Sequence, residues 1–242
     1  MDVKEMCVKT DNQVVISNDL IKGRSNLSLN ELKLLRLTIM QIVANDAELM
    51  TYRIKIQELA KVLNISSANL YRDIFEMCKH LLQEIVYVGD GNPKHRWKMF
   101  QWCNICEYDD GIITIKLHER LKPYLIQLKS HYTQYMLEDI LLLKSVYAVR
   151  IYELLREGFK GQKVYADVCA FVSLDIDTIR KATDTTEKYI QMGHFKAKVI
   201  NTAIDEINRK LGYVITVEDI KKGRKIVGFH FKIESKNNIY RD

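Results

Sequence analysis

Cationic and amide side chains recur between residues 196 and 225 at spacings that suit contact with a polyanion. Lys196, Lys198, Asn201, Thr202 and Arg209 fall within one predicted helix, and Lys221, Lys222, Arg224 and Lys225 crowd a turn around Gly223. Asn and Arg can pair with base edges, Thr can meet a thymine methyl, and Lys and Arg neutralise phosphates. Residues 190–242 carry 11 Lys/Arg against 6 Asp/Glu, an excess of 5, while the whole chain carries 37 against 31, an excess of 6. Nearly all the surplus positive charge therefore sits in the last fifth of the chain.

A weaker set of the same chemistry lies earlier. Asn69, Arg72 and Lys79 share the outer face of a predicted helix over 67–84, and Lys94, Arg96 and Lys98 follow it. Asp73 and Glu76 lie on that same face and would repel phosphates, so this helix reads as the poorer DNA reader. Its predicted buried stripe is Leu70, Tyr71, Ile74, Phe75, Met77, Cys78 and Leu81.

Other reactive side chains are not grouped for catalysis or metal binding. Cys103 and Cys106 form a lone CxxC in an alternating strand, where an odd offset sends the two thiols to opposite faces. The histidines are scattered and offer no His-x-His pair beside a nucleophilic Tyr. Neither a Walker loop, GxGxxG nor GxSxG occurs. No catalytic constellation, metal site or cofactor is predicted.

The elements that must position the basic residues follow from periodicity. A polar segment, 1–13, reads as a flexible arm, and a short strand follows at 14–16. Ser28 and Glu31 form a capping box for a helix over 29–43, with Leu32, Leu35, Leu37, Ile39, Met40, Ile42 and Val43 on its apolar face. A strand at 52–56 leads into a helix-turn-helix over 57–73, where Leu63, Asn64 and Ile65 make the turn and Leu70 locks the second helix. Strands at 85–88 and 97–107 form a wing, and 112–117 alternates again. A short helix over 119–129 is interrupted near Pro123, and a long helix is predicted over 134–157, ended by Gly158 and Gly161.

The second half repeats the plan: strand 168–174, helix 175–182, loop 183–192, helix 193–211 and hairpin 213–234. The fold class is α+β, mainly helical, with two tandem winged-helix domains related by a pseudo-twofold repeat. The predicted boundaries are an arm at 1–13, a first domain at 14–130 as an auxiliary DNA contact or a protein–protein module, a second at 131–236 as the main reader, and a frayed tail at 237–242.

Composition bounds the rest. The chain has 242 residues, an ordinary apolar fraction of 47% and only 2 Pro, which favours continuous secondary structure over disorder. The polar N-terminus lacks the apolar core of a signal peptide, and charge interrupts every apolar cluster, so no membrane span is expected. Five irregularly spaced Cys fit reduced thiols in a cytoplasm.

Several blocks resemble the plasmid replication initiators of the RepB/RepE type, which are built from two winged-helix domains. They are Val15-Ile16-Ser17-Asn18 with Leu20, then Tyr132-Thr133-x-Tyr135, then Leu143-Lys144-Ser145-x-Tyr147-Ala148-x-Arg150-Ile151-Tyr152-Glu153-Leu154-Leu155. Further on come Tyr189-x-x-Met192-x-x-Phe195-Lys196, Glu206-Ile207-Asn208 and Lys221-Lys222-Gly223-Arg224. The resemblance implies monomers that bind direct repeats at a plasmid origin, open a neighbouring AT-rich segment and recruit the host initiator and helicase. It also implies a homodimer, joined through the first winged helix, that represses its own promoter at an inverted repeat. Lys196 and Lys198 match the family's basic start of the recognition helix, and Ala197 departs from it. On the residues alone, a double winged-helix transcriptional regulator and a nicking or priming enzyme stay open as alternatives.

Overall fold

The computed structural model describes residues 3–8, 12–43, 45–89, 92, 94–159 and 169–235. Two compact units divide it. The first holds the chain up to Leu20 together with Ser25–Leu141, and the second holds Ile21–Arg24 together with the chain from Leu142 onward. The division thus falls later than the 130/131 boundary read from sequence.

In the first unit, β1 (Val3–Glu5) runs parallel to β3 (Thr51–Lys55), which continues antiparallel into β7 (Ile112–Leu117) and β6 (Cys103–Asp109). The segment expected as a flexible arm therefore contributes an ordered edge strand, with Met6 buried just beyond it. The β6–β7 turn places Asp110 at φ 40 and Gly111 at φ 79, both left-handed, as a two-residue type I′ hairpin loop requires.

β2 (Gln13–Ser17) pairs antiparallel with β8 (Tyr132–Met136), and this corrects the helix predicted over 134–157. That stretch is three pieces: β8, a helix Leu137–Leu142 and a helix Val146–Gly158. Residues 132–136 alternate, burying Thr133 and Tyr135, and β2 supplies a partner edge. Ser145 then starts a new helix by accepting a hydrogen bond from the Tyr147 N–H at 3.2 Å.

The capping box is present. Glu31 N–H donates to Ser28 Oγ at 3.4 Å, and Ser28 N–H donates to Glu31 Oε2 at 2.7 Å. The helix it opens, Leu29–Met40, ends earlier than predicted, so Val43 is 52% exposed. The helix-turn-helix is also where the sequence puts it. A helix Ile56–Leu63 ends on Asn64 at φ 54, ψ 45, a short 3₁₀ turn covers Ser67–Asn69, and the second helix runs Leu70–Gln83.

Along that second helix, Leu70, Ile74, Met77 and Leu81 are buried, while Tyr71 and Phe75 are 57% and 64% exposed. The expected stripe was too wide. Spacings of three and four already close the core-facing face, and Tyr71 and Phe75 lie about 100° further round. The wing is a separate hairpin of β4 (Ile85–Val88) and β5 (Lys98–Gln101), and the strand predicted over 97–107 breaks at buried Trp102, beyond which β6 joins the larger sheet.

In the second unit, β9 (Ala170–Asp175) leads into a helix Ile176–Ala182 capped by Asp175, whose Oδ1 accepts from the Thr178 N–H at 2.7 Å. One continuous helix follows, made of Met192–Phe195, a π turn Lys196–Asn201 and Thr202–Lys210. β10 (Tyr213–Lys222) and β11 (Lys225–Ser235) form the wing, and the sheet order is β10-β11-β9. β11 presses so close to β9 that a Cβ on Gly228 would meet the Leu174 carbonyl at 2.6 Å, so only glycine fits. Gly161, Val168 and the predicted tail at 237–242 lie outside the described residues.

Candidate nucleic-acid interface

The helix Met192–Lys210 buries Phe195, Val199, Ala203 and Ile207, every fourth residue, and Leu211 continues the series beyond its end. In a pure α-helix that spacing would carry the apolar stripe steadily round the axis. The π turn at Lys196–Asn201 takes up more residues per revolution and keeps the stripe aimed at the core. Ile200 and Ile204 widen the same buried face, as the sequence predicts. Ala197, Lys198, Asn201, Thr202, Asp205 and Arg209 are exposed together on the other side. Thr202 spends its hydroxyl within the helix, donating to the Ala197 carbonyl at 3.0 Å.

Two side chains of this helix fix the wing. Asn208 Nδ2 donates to the Ile215 carbonyl at 2.9 Å, and the Ile215 N–H donates back to Asn208 Oδ1 at 2.7 Å. Lys196 Nζ reaches Asp219 Oδ1 on β10 at 2.6 Å. Lys196, predicted from sequence to reach a phosphate, is thus placed as a brace between helix and wing. At the wing tip, Gly223 takes φ 63 and Arg224 does not go positive, the pattern of a type II′ two-residue loop. Lys221, Lys222, Arg224 and Lys225 are all exposed around it. No ion pair to a described residue satisfies these four, nor Lys198 or Arg209.

The approach to the helix is held by a residue that sequence reasoning missed. Arg180 donates to the carbonyls of Thr185 (2.7 Å), Lys188 (2.8 Å) and Tyr189 (2.9 Å), and its guanidinium lies 4.1 Å from the centre of the Phe195 ring. Its partners are backbone atoms, which leave no trace in the residue pattern. Tyr147 meets Tyr189 edge-on at 6.3 Å, and burial, then the Tyr189 hydroxyl, push its own hydroxyl up to about 12. Asn208, also missed as a clamp, does carry a sequence signal, since it sits in the Glu206-Ile207-Asn208 block. Glu206 is buried and accepts from the Lys144 N–H at 2.5 Å.

Two cations of the weaker set in the first unit are neutralised by neighbouring carboxylates. Arg72 pairs with Asp73 at 3.0 Å and Lys79 with Glu76 at 3.5 Å. Lys98 donates to the Tyr124 hydroxyl at 3.3 Å, while Asn69, Lys94 and Arg96 are exposed.

The CxxC expectation is corrected. A bulge between Cys103 and Ile105 leaves Cys103 opposite Leu117 and Cys106 opposite Ile115, two residues apart on β7, so the thiols share a face. Cys106 hydrogen-bonds there with Cys103 and Cys78. The bond with Cys106 and then burial push the Cys78 thiol far above the usual cysteine range, and the bond with Cys103 and burial do the same to Cys106 against a lowering bond with Cys78, which makes both poor nucleophiles. Among the described residues, no group of His, Cys, Asp or Glu could hold a metal ion, and no helix is long and apolar enough to cross a membrane.

Comparison with known proteins decides the family. The model described as initiator replication protein WH1 matches residues 13–156, and that described as initiator Rep protein WH2 matches residues 175–233. The chain belongs to the initiator replication protein family. Its α+β fold with two winged-helix domains is the family's. The chain is 26% identical over 200 residues to the PI protein of Escherichia coli, an alignment covering 76% of this chain and 63% of that protein, so it spans less than two thirds of that relative's length. It is similar in fold to a Pi initiator protein crystallised with iteron DNA, with a TM-score of 0.77 at 21% identity over 94% of this chain and 99% of the other. Domains 2 and 3 of RctB share the fold more loosely, with a TM-score of 0.50 at 10% identity over 86% and 82% of the two chains.

Proposed function

We propose that this initiator-family chain is a sequence-specific double-stranded DNA-binding protein that starts plasmid replication by binding direct repeats at an origin. The observation that carries the reading is the second unit's helix and wing. Lys198, Asn201, Thr202 and Arg209 stand exposed on one helix face, beside a wing tip of four cations without ion pairs to described residues. A rod bearing hydrogen-bonding groups fits a major groove, and the wing grips flanking phosphates. Origin opening, recruitment of the host initiator and helicase, and autorepression by a homodimer in equilibrium with monomer complete the proposal, with no catalysis, cofactor or metal of its own and a cytoplasmic location.

The test is genetic and physical together. Deleting the gene from its plasmid should abolish maintenance, and supply in trans should restore it. The purified protein should bind a duplex of its origin repeats far more tightly than a scrambled duplex. Tight promoter binding with maintenance untouched would favour a transcriptional regulator instead, and nicked circles from supercoiled origin DNA with divalent metal would favour an enzyme.

A further inference from the structure

We infer that Ile190 and Gln191 read an A·T base pair ahead of the recognition helix, with Arg180 as the residue that positions them. This rests on the DNA-binding reading above and adds to it the base pair read and the residues that read it.

Recognition helices of this type contact base edges mainly through their N-terminal residues, and the chain entering the helix reaches the groove with them. Ile190 is 72% exposed, more than any other large apolar residue described. Gln191 occupies the N-cap position without a side-chain cap bond, and no described residue bonds its amide. Gln is a poor N-cap beside Ser, Thr, Asp or Asn, so its presence there is not explained by capping. An isoleucine tip suits the thymine C5-methyl, and a free carboxamide suits the N6 and N7 edge of adenine, so the two side chains together match one A·T pair or two adjacent ones.

Exposed loop residues specify a base only if they are held still, and these are. The three Arg180 bonds to the Thr185, Lys188 and Tyr189 carbonyls fix the loop immediately before Ile190. The same guanidinium packs on Phe195, the fully buried anchor of the helix's first turn. Loop and helix start are thereby fastened to one group. His194 is exposed on that first turn and Lys198 one turn further, so the contact surface runs unbroken from Ile190 into the helix face.

The experiment selects the best duplex from a randomised pool with the full-length protein, then measures affinity for that duplex with single base analogues. At one A·T pair, thymine to deoxyuridine should weaken wild-type binding about four-fold, the loss of one methyl contact. At the same or the neighbouring pair, adenine to 7-deazaadenine should weaken it roughly ten-fold. Ile190→Ala should be blind to the first change and Gln191→Ala to the second. Arg180→Lys should blunt both while the protein still unfolds cooperatively. Should that variant not fold, the two exposed substitutions decide alone. Variants that keep the full wild-type response to both analogues overturn the inference while DNA reading stands. A wild-type protein that enriches no sequence overturns the DNA-binding reading and the inference with it.

Discussion

Arg150 and Glu153 form a buried ion pair in the second unit, Nη1 to Oε2 at 2.6 Å, with side chains 2% and 0% exposed. The same guanidinium donates to the carbonyls of Ile21 (2.6 Å), Gly23 (2.9 Å) and Ala182 (2.9 Å). A buried charge is tolerable only when its partners are this complete. Arg150→Ala should therefore cost about 3–5 kcal/mol, because it leaves Glu153 buried without its cation. Urea unfolding followed by circular dichroism checks this, and a loss below about 1 kcal/mol would falsify the assigned role.

The wing should act on phosphates and not on sequence. Changing Lys222, Arg224 and Lys225 together to Ala should lower affinity for every duplex and flatten the plot of log affinity against log salt by up to roughly three units. Fluorescence anisotropy over a salt series reads both quantities. An unaltered slope removes the wing tip from the interface.

Lys196 and Lys198 are near neighbours in sequence but should behave differently. Lys196 is committed to Asp219, so Lys196→Ala should chiefly loosen the wing, lowering the thermal midpoint with little change in salt slope. Lys198 is exposed and unpaired among the described residues, so Lys198→Ala should leave the midpoint unchanged and reduce the slope by about one unit. Paired melting and anisotropy measurements separate the two, and equal slopes for both variants would contradict the placement.

Ile74 and Phe75 test which face of the helix Leu70–Gln83, the second of the first unit's helix-turn-helix, is core. Ile74 is 2% exposed and Phe75 64%. Ile74→Ala should destabilise by about 2–5 kcal/mol, whereas Phe75→Ala should stay within about 0.5 kcal/mol of wild type. Comparable losses at both positions would restore the wider buried stripe.

Asp184 gives the second unit an acid-sensitive tie. Burial pushes its carboxyl up, but hydrogen bonds from Arg24 at 2.7 Å and Lys188 at 3.1 Å outweigh it and hold the group below its ordinary value. A depressed carboxylate stabilises fully above its unfolded value, and the contribution is lost as pH falls through the folded one. Asp184→Asn should thus be less stable than wild type at neutral pH by no more than about 1 kcal/mol, as suits a pair that still reaches water. The gap should close on acidification below the usual carboxylate range. A gap that stays constant with pH would show that charge is not its cause.

The elements most legible in sequence were those set by local chemistry. Ser28 and Glu31 cap a helix, Asn64 turns left-handed, Gly223 turns the wing, and Val199, Ile200, Ala203, Ile204 and Ile207 lie on the buried face of their helix. Each depends on neighbours within a few residues, so composition and period suffice. Residues 132–136 misled because an alternating stretch of five becomes a strand only if another strand is there to pair with it, and β2 lies more than a hundred residues earlier. Cys103 and Cys106 misled because one bulge reverses the parity of everything beyond it.

The candidate interface divides along the same line. Residue order alone shows that the positive charge gathers at 190–242, that a helix and a turn carry it, and that the chain resembles the initiators. Which of these side chains stay exposed follows from the folded chain. Lys196 is withdrawn to Asp219, Asn208 is withdrawn to Ile215, and Arg180 is spent on three carbonyls, while Lys198, Arg209 and the wing tip stay exposed. The physical reason is that a side chain's charge and hydrogen-bonding capacity belong to its residue type, but whether a partner within the fold has already taken them is set by atoms far away in the chain.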